Sequence, residues 1–142
     1  MPRDAEHQTT GRAVMRIILA VFYLAAGLIH LTMPDAFMPV MPDWVPFPRE
    51  TILFTGVCEL AGSAGLMIPR TRWWAGAMLA LYAICVFPVN IKHALMGPPI
   101  PGLSNQLYYH IPRLAFQPVL VWWALFAGGV VTWPFKRRRP TL

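Results

Sequence analysis

Charge is what this sequence has least of. Of its 142 residues only 13% are Asp, Glu, Lys or Arg, against 56% hydrophobic; a soluble domain carries about 25% charged residues. The deficit excludes an ordinary water-soluble globule. Cysteine is scarce as well. Cys58 and Cys85 form no CxxC motif, which speaks against dithiol chemistry or an all-cysteine metal site and leaves two small hydrophobes. There is no HxxxH or HExxH pair, so zinc, copper or haem iron would need ligands gathered from separate segments. Internal repeats and low-complexity tracts are missing too.

Long apolar runs are there instead. Four segments, about 13–33, 51–68, 73–96 and 108–135, are long and apolar enough to read as membrane spans. Almost nothing remains for a soluble domain. The expected fold is an all-α membrane protein over residues 1–142, one four-helix transmembrane bundle with tails at 1–12 and 136–142. The first run continues past Ala25 and Gly27, so it reads as a retained span rather than a signal peptide.

The net charge of +6 does not point to nucleic acid, because of where the charges fall. Arg3, Arg12 and Arg16 precede or open span 1, Arg70 and Arg72 join spans 2 and 3, and Lys136 with Arg137, Arg138 and Arg139 follow span 4. Loop 1 carries Asp35, Asp43 and Glu50 against Arg49, and loop 3 carries no charge. The positive-inside rule therefore expects both termini in the cytoplasm and loops 1 and 3 outside. The basic tail reads as a topology anchor at the headgroups. Loop 1 is dense in prolines (34, 39, 42, 46 and 48) and loop 3 shares that character. They read as stiff interfacial connectors, or as covers over the mouth of an outward-facing site. Small residues in span 2, including Gly56, Gly62, Ser63 and Gly65, favour close helix packing. Pro88, Pro112 and Pro118 predict kinks in spans 3 and 4.

Within this apolar background the polar residues stand out. Glu59 is the only charge in residues 51–68, and a carboxylate in a span costs about 2.5–3.5 kcal/mol on insertion scales. It needs a partner or has a role. At about 1.5 Å rise per residue, His30, Glu59, Asn90, Lys92, His93, His110, Arg113 and Gln117 all fall toward the loop 1 and loop 3 side. Asn90 and His93 share a helix face, as do His110, Arg113 and Gln117. Glu59 is expected to pair with Arg113, and Lys92 to snorkel outward. Each residue also has a plain structural reading: the ion pair as helix glue, His30 and His110 as interfacial, Asn90 and Gln117 as interhelical hydrogen-bond partners.

Short fragments recur in an order that resembles a known family. They are Gly27-x-x-His30, Pro42-x-Trp44-x-Pro46, Gly56-x-x-Glu59-Leu60 with Gly62 and Gly65, Arg72, Pro88-x-Asn90 and Arg113-Leu114-x-x-Gln117. From about Arg16 to Trp133 the chain resembles the DoxX-like family of four-helix bacterial membrane proteins. The resemblance implies a multi-pass protein of the bacterial inner membrane. Some relatives belong to thiosulfate:quinone oxidoreductases, and others are associated with redox homeostasis or electron supply to periplasmic partners.

Two functions compete. In the first, the chain is a quinone-linked or redox-associated membrane subunit. Glu59 and His30 are then the catalytic candidates, with Glu59 relaying protons, and Asn90, His93, His110, Arg113 and Gln117 bind the ligand. The sequence offers no electron carrier, so a redox partner protein or bound cofactor is required, a quinone before haem or metal. In the second, the chain is a non-catalytic binder, transporter or accessory subunit, with Arg113 meeting an anion such as a sulfur oxyanion or carboxylate. Beyond the lipid bilayer itself, homo-oligomerisation stays open.

Overall fold

A bundle needs small residues where its helices cross, and this chain supplies them in two places. The computed structural model describes residues 2–97 and 106–134, with side chains from residue 10 onward. Helices α1 (Pro2–Thr32), α2 (Pro48–Met67), α3 (Arg72–Cys85), α4 (Phe87–Met96) and α5 (Leu107–Gly128) account for most of them. Among the described residues there is no strand. Loop 3 from residue 98 to 105, the basic residues 136–139 and the side chain of Arg3 lie outside the described residues, and with them the expectation that loop 3 covers a site.

The helices close a ring: α1 packs on α2, α2 on α3, α3 on α5 and α5 back on α1, with α4 continuing α3. Where α1 crosses α2, a Cβ on Gly27 would lie 2.8 Å from the Gly56 carbonyl oxygen. Where α3 crosses α5, a Cβ on Gly76 would lie 2.7 Å from the Ala124 oxygen and from the Gly128 Cα. Both crossings depend on the missing side chains. Between them sits the core of Leu19, Tyr23, Leu66, Leu79, Leu120 and small alanines. The packing expected of the glycines in α2 is joined by a small-residue seam between α3 and α5 that sequence reading did not single out.

Outward the surface is apolar. Val14, Ile17, Ile18, Val21, Phe22, Leu24, Leu28 and Ile29 of α1 are all exposed, while Glu59, Ser63, His110 and Gln117 are buried. Polar inside and apolar outside is the arrangement a hydrocarbon solvent selects. Three stretches are long and apolar enough to cross a membrane: Thr10–Thr32, Arg72–Met96 and Leu107–Gly128. Helix α2 completes the bundle with 20 residues.

The interruption expected from Pro88 is present: the third apolar segment breaks at Val86 into α3 and α4, since Pro88 has no N–H to donate and its ring displaces the preceding turn. One boundary differs from the sequence expectation. The fourth segment ends at Gly128, not near residue 135. Gly129 is left-handed (φ 79°); its N–H returns to Phe126 O and that of Val130 to Leu125 O, a Schellman stop. In loop 1, the proline-dense connector winds into a 3-10 helix, Pro34–Val40, seated against α1, α2 and α4.

Candidate functional site

Two hydrogen-bond networks occupy the loop 1 end of the bundle. The first is centred on Glu59, only 4% exposed. His30 Nδ1 lies 2.7 Å from its Oε2, and the Tyr82 hydroxyl donates to its Oε1 at 2.7 Å. His30 Nδ1 is also 3.0 Å from the Ala26 carbonyl oxygen. Both neighbours of Nδ1 are acceptors, so this nitrogen carries the hydrogen. Nε2 is taken by no group among the described residues, and the imidazole side chain, 20% exposed against 5% for Glu59, stacks on Phe37 of the 3-10 helix at 4.2 Å. Loop 1 thus reaches the site through Phe37.

The Tyr82 hydroxyl completes this network, with Tyr23 packed beside it, and sequence reading missed both. Tyr82 is half-buried with its oxygen on the carboxylate, and Tyr23 packs edge-on against it at 6.2 Å. The Tyr23 hydroxyl is buried without a hydrogen-bond partner among the described residues. The available signal was position: tyrosines of membrane proteins concentrate at the interfaces, whereas Tyr23 and Tyr82 fall well inside their apolar runs.

The second network is centred on Arg113. Its Nη2 donates to Asn90 Oδ1 at 2.5 Å, and its Nη1 lies 2.6 Å from His93 Nδ1. A guanidinium only donates, so His93 accepts at Nδ1 and, as the neutral imidazole, carries its hydrogen on Nε2. Asn90 Nδ2 donates onward to Gln117 Oε1 at 3.0 Å. Gln117 Nε2 ends the chain on the Ala83 carbonyl at 2.6 Å. His110, 4% exposed, packs edge-on against His93 with ring centroids 5.0 Å apart. The faces read from the i, i+3 and i, i+7 spacings are the ones brought together.

The networks meet at one helix end. Tyr82 sends its side chain to Glu59, and the carbonyl of its neighbour Ala83 receives Gln117, just before the break at Val86. The pairing of Glu59 with Arg113 is not formed. Helices α2 and α5 sit diagonally in the ring, each flanked by α1 and α3, so each charge bonds to an adjacent helix instead. Lys92 does not snorkel freely either: it donates to the Met41 carbonyl and lies 3.0 Å from Asp43 Oδ1, tying α4 to loop 1. Among the described residues no cluster of three or more His, Cys, Asp or Glu side chains is placed to hold a metal ion.

A family described as a domain of unknown function (DUF8561) matches residues 19–128 of the chain, a stretch that contains both networks. No curated protein and no solved structure matches it.

Proposed function

The chain belongs to the DUF8561 family, and we propose that within it this protein is a quinone-linked or redox-associated membrane subunit in which Glu59 and His30 handle protons. It spans the bacterial inner membrane four times, with α2 as the fourth span and both termini in the cytoplasm. The DoxX-like order of motifs and the distribution of Arg and Lys support that placement. Loop 1 then lies on the periplasmic side, and the polar networks occupy the outer half.

The observation that carries the reading is the graded burial of the Glu59–His30 pair. A carboxylate 4% exposed is joined through Nδ1–H to an imidazole that is more open and, among the described residues, has Nε2 unclaimed. That is the arrangement of a proton relay: a store inside, a carrier at the edge. A quinone that accepts two electrons also takes two protons, and its carbonyls need donors as the charge develops. His30 is the residue placed to meet the headgroup, Glu59 to return a proton to it, and Tyr82 to hold Glu59 in position. The chain's own residues supply the protons and the orientation. Electrons come from a redox partner protein or a bound cofactor, because the sequence offers no electron carrier of its own.

The test uses the full chain in a nonionic detergent. Lipid-soluble compounds are extracted from the purified protein, and binding of a short-chain quinone is titrated for the wild type and for His30→Phe. Co-purifying quinone, with saturable binding weakened about tenfold or more in the variant by loss of one donor to the headgroup, supports the reading. Absence of both rejects it.

A further inference from the structure

Among the described residues Arg113 is a cation with no acidic side chain paired to it. Asp35 pairs with Arg49, Asp43 with Lys92 and Glu59 with His30. Glu50 is exposed at the start of α2, and Asp4 and Glu6 lie at the far end of α1 from His30. Residues 98–105 and 135–142 contain no Asp or Glu, so those segments bring no acidic side chain. The partners Arg113 does have, His93 Nδ1 and Asn90 Oδ1, are neutral acceptors, and Tyr109 packs near its guanidinium at 5.8 Å. A part-buried guanidinium inside a membrane bundle is costly unless something negative meets it.

The geometry also leaves the hydrogens to do so. Among the described residues two of the five guanidinium N–H groups are used, and Nε–H and one hydrogen on each terminal nitrogen remain. One helical turn before Arg113, His110 is buried with its Nδ1 lacking any hydrogen-bond partner among the described residues. A buried ring nitrogen left without a partner is costly, which makes it a second mark of a missing ligand. Between them stands His93, with its acceptor nitrogen already committed to Arg113 and its Nε2–H left as a further donor among the described residues. The network behind is rigid: Gln117 fixes Asn90, and Asn90 fixes the guanidinium fork.

We propose that Arg113, His110 and His93 form a binding site for one oxyanion group, independent of the proton-handling reading of Glu59 and His30. The forked guanidinium takes two oxygens of a carboxylate, sulfate or phosphate group, and His110 Nδ1–H satisfies itself on a third contact. A small free anion and the phosphate of an anionic lipid headgroup share this chemistry, and experiment separates them.

For the free anion, the full chain in an uncharged detergent is titrated with sulfate against chloride at equal ionic strength, and the thermal midpoint is followed. For the lipid, native mass spectrometry compares retention of phosphatidylglycerol with phosphatidylcholine. Two variants are used, so that one still decides if the other fails to fold. Arg113→Lys keeps the charge and loses the fork; His110→Phe keeps the ring volume and loses Nδ1. A saturable sulfate shift, weakened about tenfold or more in either variant, establishes a free-anion site. Selective phosphatidylglycerol retention that falls in the variants, without a sulfate shift, establishes the headgroup. No anion preference in either assay, or a preference that both folded variants keep unchanged, overturns the proposal.

Discussion

Glu59 Oε2 lies 2.7 Å from His30 Nδ1 because two glycines let their helices touch. Gly27 precedes His30 by three residues and Gly56 precedes Glu59 by three, so on each helix the small residue and the polar one share a face. A Cβ on Gly56 would sit 3.0 Å from the His30 Cβ. Close approach and hydrogen bond are two aspects of one crossing, and the shared Gly-x-x-polar spacing on α1 and α2 is its sequence trace.

That crossing sets the first prediction. Gly27→Ala places a methyl 2.8 Å from the Gly56 carbonyl and 2.9 Å from Leu60, where the neighbouring backbone cannot yield cheaply. It should destabilise the protein by about 1–3 kcal/mol, as overpacking does, and lengthen the Glu59–His30 bond. Gly11→Ala, whose Cβ meets nothing within 4 Å, should be neutral or slightly stabilising. Thermal midpoints in detergent compare the two; equal midpoints would show that the crossing has slack.

The pair itself sets the second. Both partners of Glu59 donate, so Glu59→Gln puts an amide N–H against one of them and should cost about 1–3 kcal/mol. His30→Phe removes the imidazole donor and should cost a similar amount. The double mutant should lose less than the sum, since the bond is gone after the first change. If proton handling is the role of the pair, quinone-linked turnover should vanish in Glu59→Gln protein that still folds. Strict additivity in the cycle would mean that the two residues do not interact.

Depth was legible in the sequence, partnership was not. One-dimensional rise along each apolar segment placed Glu59, His30, Asn90, His93, His110, Arg113 and Gln117 at one end of the bundle, and there they are. Spacing within a helix correctly grouped Asn90 with His93 and His110 with Gln117. Choosing which helix faces which needs the order of helices around the ring, and nothing in the spacing of Glu59 or Arg113 encodes it. Charge complementarity suggested they pair, but the diagonal placement of α2 and α5 gave Glu59 to His30 and Tyr82. Tyr82 escaped because a tyrosine in an apolar run looks like packing until its hydroxyl is placed. The end of α5 was misread because Val130 and Val131 extend the apolar run past the glycine that stops the helix.

Orientation is open to direct labelling. Trp44 in loop 1 is 72% exposed, so Trp44→Cys in a background lacking Cys58 and Cys85 presents one thiol at the loop 1 end. An impermeant maleimide should label it in intact spheroplasts if loop 1 is periplasmic. Labelling only after lysis would reverse the topology and move both networks to the cytoplasmic half.

The last prediction concerns the break at Val86. In an unbroken helix the Ala83 carbonyl would take the Phe87 N–H; here it accepts Gln117 Nε2–H at 2.6 Å, so α5 supplies what the proline-opened turn has lost. Gln117→Leu removes that donor and also the acceptor of Asn90 Nδ2, two polar groups stranded in an apolar setting. The expected loss is about 2–4 kcal/mol, with Asn90 released from Arg113 as a consequence. Pro88→Ala restores an N–H and lets the turn close, so Ala83 regains a helical donor. In that background Gln117→Leu should cost clearly less than it does alone, a coupling that simple packing loss would not produce. Straightening α4 also swings Asn90 and His93, which sit two and five residues past Pro88, away from the guanidinium. Pro88→Ala alone should therefore fold, yet weaken anion binding at Arg113. A full cost for Gln117→Leu in both backgrounds would show that the amide serves α5 alone, and that the proline break and the arginine network are unrelated.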